Sequence, residues 1–398
     1  MNRPGTIKTS GHTQPNAVNG MAIADVRAFA LSFPVTGGAR LGIGRAVKRD
    51  AVVVKVTTAD GLVGWGESHH GRAANVTAAL VNSALRDNIR GLLADDVVGV
   101  WSRIYRMQLK SHGLGAATAM AMSGIDMALW DIRGKAIGWP LCRLLGGSVK
   151  PVKAYAGGVS LGWQEPASLV EEARPLVEAG YKAVKLRAGD TPARDIARVR
   201  AVREAFGDEL VILVDANTEY SIDDVRAVMP AFEDLRVGWL EEPFPAHDYC
   251  SYGEARRLGC VPLAAGENHF TRFEFTRLID DGHVTILQPD LSKAGGITEV
   301  LRIAALGSAW KLPIHPHSSM TGLNMAATIH LLAAIDNAGY FEGDASPGNL
   351  FRDTLVDRPY ELASDGTVRP NEGPGIGVEV DEGFITAHPF IEGPNYAV

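Results

Sequence analysis

Four short runs decide the fold: AVKLR (183–187), VDAN (214–217), WLEEP (239–243) and GEN (266–268). Each is too short for a helix, and each carries charged or polar groups toward its C-terminal end. Between them lie stretches of helical spacing such as Pro192–Phe206 and Ser221–Phe232. Outward in both directions the alternation continues. Strand candidates are Val152–Ala156, Ala183–Arg187, Val211–Asn217, Val237–Pro243, Pro262–Asn268, Thr285–Asp290, Leu312–His317 and Tyr340–Asp344. Further helical candidates are Pro166–Ala179, Arg272–Asp280, Ile297–Ala309 and Met325–Ile335. Eight strands in a βα register predict an α/β protein built on a TIM-type barrel.

The titratable residues recur with the period of that barrel. Lys185 and Arg187, Asp215, Glu241, Glu267, Asp290, His317 and Glu342 follow one another at strand ends, 23 to 28 residues apart from Arg187 onward. A barrel of about 250 residues divided into eight units gives ~31 per βα unit, fewer when loops are short, so these groups meet at the C-terminal rim, where barrel active sites are built. A ring of polar groups buried there without a task is costly.

Three successive carboxylates, Asp215, Glu241 and Glu267, come from adjacent strands. Converging anions repel unless a cation holds them, and hard oxygen donors favour Mg²⁺, with Mn²⁺ as a substitute. Asp290 and His317 follow on the next strands. A carboxylate beside an imidazole fixes its tautomer, which makes His317 a general acid/base and Asp290 its orienter. His315 lies one layer deeper on the same face and is read as structural. Lys185 and Arg187 share a face and suit a carboxylate-bearing substrate. Arg187 serves better as a clamp than as a base. Glu342, if protonated or hydrogen-bonded, can donate to an enolate oxygen.

The flanking regions read differently. Ala51–Thr57 and Val63–Glu67 form a hairpin across Asp60-Gly61, helical text runs from Arg72 to Leu109, and a long helix covers Ala116–Ile137. The domain reading is an arm at 1–20, expected to be flexible, an α+β capping domain at 21–150, a barrel at 151–364, and a segment at 365–398 that returns to the capping domain. The loop Phe33–Arg49, with Arg40, Arg45, Lys48 and Arg49, and the turn ESHHGR (67–72) are the expected specificity elements. Arg45 and His69 are the substrate-binding candidates there, with Asn217 on the barrel rim.

Composition excludes several classes. With 46% hydrophobic and 21% charged residues the chain is globular. Lys and Arg total 39 against 46 Asp and Glu, a net charge of -7, which gives no basic footprint for nucleic acid. No apolar run is long enough to span a bilayer, and the first twenty residues lack a signal-peptide core. The three cysteines form no C-x-x-C pair, consistent with reduced thiols in a cytoplasmic protein.

Taken with QPDLSKAGG (288–296), PHSS (316–319) and SGIDMALWDIRGKAIGWPLCRLLGG (123–147), the four opening motifs resemble the enolase superfamily, mandelate racemase subgroup. The resemblance covers the chain past about Ala22. It implies a (β/α)7β modified TIM barrel with an N-terminal α+β capping domain completed by the C-terminal segment. It also implies one Mg²⁺ on Asp215, Glu241 and Glu267, a His317–Asp290 dyad, Lys185 by the substrate carboxylate, Glu342 assisting the enolate and Lys293 acting electrostatically. A homo-oligomer, dimer-based and often octameric, is implied too.

One position departs from the subgroup. Where a second lysine usually serves as a base, this chain has Arg187. A racemase needs proton-transfer groups on both faces of the carbanion, whereas a dehydratase works with one. The sequence thus favours β-elimination of water from an acid sugar, aldonate or aldarate, to a 2-keto-3-deoxy acid. A racemase or epimerase of a 2-hydroxy acid or amino-acid derivative is the alternative. A non-catalytic ligand-binding barrel is the alternative from another class.

Overall fold

The computed structural model describes residues 20–111, 113 and 115–397; the arm at 1–20 therefore lies almost wholly outside the described residues. Barrel strands form at Val152–Gly157, Ala183–Arg187, Val211–Asp215, Val237–Glu241, Leu263–Ala265, Ile286–Leu287 and Phe341–Asp344, hydrogen-bonded in parallel in that order, the last beside the first. The seventh strand expected at Leu312–His317 shrinks to single bridges, Ile314 pairing with Leu287 on one side and Ala338 on the other. Pro313 and Pro316 flank that residue and lack the N–H that a longer ladder requires. Seven helices separate the eight strands, including Tyr249–Ala255, which the sequence reading lacked. Helices Pro192–Phe206 and Ile297–Ala309 have the expected bounds.

Register sets the order of the rim. Arg187 lies opposite Asp215, and Asp215 opposite Glu241, in consecutive parallel pairs. Below them Tyr155, Leu213, Trp239 and Ala264 fill the barrel interior. Tyr155 and Trp239 meet edge to face at 5.5 Å, an aromatic floor under the polar layer. His315 sits on this floor, 5.0 Å from Trp239, and its Nδ1 accepts the Tyr340 N–H.

The hairpin Lys48–Thr58 with Val63–Ser68 matches the expected pair, and a third strand, Ile23–Pro34, joins it antiparallel. The helical text between Arg72 and Leu109 is not one helix. It breaks at Gly91, in left-handed conformation, and restarts at Val97 behind the Asp96 cap. Helix Ala116–Ile137 lies flat on strand Val63–Ser68 because Gly64 and Gly66 leave no side chain between them. A Cβ on Gly66 would sit 2.2 Å from the Gly124 carbonyl oxygen.

The same helix ties this layer to the barrel. Ser123 Oγ accepts the Gly295 N–H, Asp126 accepts the Thr298 N–H at 2.9 Å, and Trp130 Nε1 bonds Thr298 Oγ1 at 2.9 Å. The C-terminal segment first lays Thr367–Val368 along the first barrel strand. It then pairs Tyr396 and Ala397 with Ala46 and Arg45. Among the described residues no helix is long and apolar enough to cross a membrane.

Candidate active site

The rim closes over a cavity of about 280 Å³ lined by Arg187, Asn217, Glu267, Lys293, His317 and, from the capping layer, His69. Leu41, Ile43 and Tyr396 roof it. Of the strand-end ring, Arg187, Glu267 and His317 line this space, and Lys185, Asp215, Glu241, Asp290 and Glu342 are buried.

Lys185 is wholly buried. Its Nζ lies 2.7 Å from Glu241, 3.1 Å from Glu342 and 3.6 Å from Asp215. Burial works against its charge, but these carboxylates win and raise its proton affinity above the ordinary lysine value. Arg187 bonds Asp215 and the Gly158 carbonyl, and it too is held charged by Asp215, Glu342 and Glu241 against the cost of burial. Neither can take up a proton.

His317 Nδ1 meets Asp290 Oδ2 at 2.7 Å, and its Nε2 meets Glu267 at 2.8 Å. Burial disfavours the imidazolium. Glu267, the Asp290 bond and Glu342 outweigh it, so the proton affinity stands well above the usual histidine value. The other Asp290 oxygen accepts Ser292 N–H and Oγ–H, each at 2.7 Å, and Asn324 Nδ2 at 3.1 Å.

Glu342 departs from the proton-donor expectation. Burial raises its pKa, yet Lys185, His317, Arg187 and the Gly158 N–H bring it down to about 2. It is an ionised acceptor of Ser318 N–H at 3.1 Å and cannot donate.

The three acids expected to cradle a metal turn toward protein cations instead. Asp215 faces Lys185 and Arg187, Glu241 faces Lys185, and Glu267 faces His317 and Lys293. Among the described residues, no group of three or more His, Cys, Asp or Glu side chains is gathered so as to hold a metal ion as it stands. A preformed cradle is thus not what the structure shows, because each carboxylate is drawn to its nearest positive charge. The donor set still suits a hard divalent ion. Among the described residues, Asp215, Glu241, Glu242, Glu267, Asp290 and Glu342 share the barrel rim with the buried cations Lys185, Arg187 and Lys293, and the exposed Arg72 lines the cavity from the capping layer. Burial, then Asp215 and Glu342, push Glu241 up to about 7 despite Lys185. Burial and Glu267 push Glu242 up to about 8, and its Oε1 is buried without a partner. This surplus of negative charge is what a bound cation relieves.

Glu242 was missed in the sequence because it follows Glu241 directly, and neighbours on a strand point to opposite faces. A positive φ of 35° at Glu242 turns it back onto the rim, as a φ of 48° does at Asn217. Asn217 Nδ2 bonds Asp215 at 3.2 Å, and Lys293 Nζ bonds Asn268 at 3.3 Å. Asn268 and Glu67 enter the sequence reading only as parts of their motifs, and Asn324 not at all.

Among the loop residues, His69 lines the cavity. Its Nδ1 accepts the Gly71 N–H at 3.0 Å, and burial holds its proton affinity well below normal. A neutral ring with Nδ1 accepting carries its proton on Nε2, which makes that atom a donor. Arg45 does not reach this cavity. It is exposed, donates to the Gly38 carbonyl at 2.9 Å, and lines a separate cleft with Arg40 and Trp163. Lys48 and Arg49 of the same loop are not free charges either. Lys48 pairs with Asp50 at 3.0 Å and Arg49 with Asp344 at 2.9 Å, both buried. The expectation that Arg45 binds substrate, and that Lys48 and Arg49 serve as specificity elements, is corrected accordingly.

Known proteins share this architecture. Residues 21–146 match the model of the mandelate racemase/muconate lactonizing enzyme N-terminal domain, and 168–384 match the enolase C-terminal domain-like model. A D-galactonate dehydratase of Pectobacterium atrosepticum is 32% identical over 347 residues, 83% of this chain and 89% of that protein. A solved enolase-superfamily member from Polaromonas sp. JS666 is 51% identical with a TM-score of 0.93, covering 95% of this chain and 100% of that one. A racemase from Streptomyces coelicolor A3(2), solved with bound magnesium, is 28% identical with a TM-score of 0.84, covering 92% and 99%. The chain belongs to the mandelate racemase/muconate lactonizing enzyme family of the enolase superfamily.

Proposed function

We propose that this enzyme dehydrates an acid sugar: it removes the proton α to the carboxylate, expels the β-hydroxyl as water and releases a 2-keto-3-deoxy acid. The observation that carries this reading is the asymmetry of the rim. His317 and Asp290 form a proton-transfer pair on one side. Lys185 and Arg187, on the other, are locked as cations among carboxylates. A racemase requires a second base there, and an elimination does not.

The chain's own residues divide the work. Asp290 holds Nδ1 of His317; Nε2, which faces Glu267 at 2.8 Å, would be freed to take the α-proton once Glu267 turns to a cation, and would later protonate the departing hydroxide. Lys185, Arg187 and Lys293 supply fixed positive charge to the substrate carboxylate as negative charge grows on its oxygens. His69 donates from Nε2 to a substrate hydroxyl, and Asn217 adds an amide. Glu342 keeps Lys185 and the Ser318 backbone in place. Asp215, Glu241 and Glu267 would hold Mg²⁺, which when bound stabilises the developing charge as a Lewis acid.

The test is a screen of acid sugars with Mg²⁺, with D-galactonate first because curated relatives carry that name. The expected result is a 2-keto-3-deoxy product that vanishes in His317→Asn. Solvent deuterium entering C2 with inversion and no loss of water would establish the racemase instead.

A further inference from the structure

The dyad is braced from a place the reaction does not touch. Glu67 stands on the capping-layer strand Val63–Ser68 and is 1% exposed. One of its carboxyl oxygens accepts both the backbone N–H of Thr321, at 3.0 Å, and the Thr321 hydroxyl; the other is buried without a partner. Thr321 follows His317 by four residues and caps helix Gly322–Leu332, its Oγ1 accepting from Leu323 N at 3.2 Å. Asn324 lies in the first turn of that helix and sends its Nδ2 to Asp290 Oδ1 at 3.1 Å, while Asp290 Oδ2 holds His317. The loop that carries His317 is thus pinned at Ser318 by Glu342 and at Thr321 by Glu67.

We propose that Glu67 and Asn324 are positioning residues for His317: Glu67 fixes the loop and helix start behind the imidazole, and Asn324 fixes the far oxygen of Asp290. Docking of the capping layer and alignment of the dyad then become one event. Neither residue lines the cavity, so neither is assigned contact with substrate. Burial pushes the Glu67 carboxyl up to about 8, against the Thr321 bonds. A glutamine, neutral with the same carbonyl acceptor, is therefore a close mimic. Partners behind a catalytic ligand or base are worth about 10–100-fold when removed. The inference rests on the α-proton chemistry proposed above.

The test uses the Mg²⁺-loaded full chain and compares Asn324→Leu, Glu67→Ala and Glu67→Gln with wild type. Readouts are kcat, KM, thermal midpoint and the isotope effect with C2-deuterated acid sugar. Support is a loss of kcat of about tenfold or more in Asn324→Leu and Glu67→Ala. KM would stay within about threefold, the isotope effect would rise, and Glu67→Gln would recover to near wild type. Should Glu67→Ala fail to fold, Asn324→Leu and Glu67→Gln decide. The proposal is overturned by kcat within twofold of wild type in Asn324→Leu, by an unchanged isotope effect, or by Glu67→Gln as impaired as Glu67→Ala. Wild type is also followed for C2 exchange in D₂O. Exchange without dehydration rejects the dehydratase and leaves the positioning pair to be judged on exchange rates. Inertness in both assays rejects both.

Discussion

Asp290→Asn isolates the orientation of the base from its presence. Three donors, the Ser292 N–H, the Ser292 hydroxyl and the Asn324 amide, point at Asp290 Oδ1. In the variant the amide oxygen has to take that place, since an NH₂ there would face all three. The NH₂ is then turned toward His317 Nδ1, now 2.7 Å from Oδ2. An imidazole facing a donor accepts on Nδ1 and carries its proton on Nε2, the tautomer that cannot act as a base. The same carboxylate-to-amide exchange behind a catalytic histidine costs about 10⁴ in kcat elsewhere. Here a loss of about 10³–10⁴ is expected, or ~4–5.5 kcal/mol at 1.36 kcal/mol per tenfold. KM should change by less than about threefold, because the cavity lining is untouched. The assay is steady-state formation of keto-deoxy acid with the thermal midpoint measured in parallel. A variant that folds like wild type and retains more than a tenth of its kcat refutes the orientation argument.

Three further outcomes follow from the geometry. Lys185→Met leaves Asp215, Glu241 and Glu342 without their shared buried cation, which should cost ~3–5 kcal/mol of stability. Mg²⁺ should therefore raise its melting temperature more than that of wild type, and equal shifts by differential scanning fluorimetry would argue against a shared charge deficit. Asp126 has its carboxyl pushed up by burial to about 7 against the Thr298 bonds. Its contribution is full below the unfolded value near 3.8 and is lost as pH rises through 7. Urea titrations of Asp126→Asn should show a gain over wild type at pH 8 that disappears below pH 4; a pH-independent difference contradicts this. Gly66→Ala drives a methyl into the Gly124 carbonyl and should destabilise the capping layer by ~1–3 kcal/mol. An unchanged melting temperature would show that the helix–strand approach is looser than described.

The ring of strand-end residues was legible in the sequence because the βα period itself brings them together. Arg187, Asp215 and Glu241 are distant in the chain and adjacent in the ladder for that one reason. Long helices with clear ends, such as Ala116–Ile137 closed by Gly138 in left-handed conformation, were legible too. What depended on partners far away in sequence was not. Arg49 looks like a loop cation until Asp344, 295 residues on, neutralises it. Glu342 looks like a possible donor until Lys185, His317 and Arg187 surround it. Strand Ile23–Pro34 went unread beside the polar arm, although it pairs with Lys48–Thr58 along nearly its whole length. Glu242 was hidden by a single backbone angle.

The central claim is that Asp215, Glu241 and Glu267 share one divalent ion once it is supplied. Crystals grown with Mn²⁺ and a non-reactive acid-sugar analogue test it through the anomalous signal. The account predicts one peak within about 2.0–2.3 Å of an oxygen from each of the three side chains, with His317 Nε2 released from Glu267. A peak elsewhere, or none, with Lys185 and Arg187 still closing the three carboxylates, would contradict it.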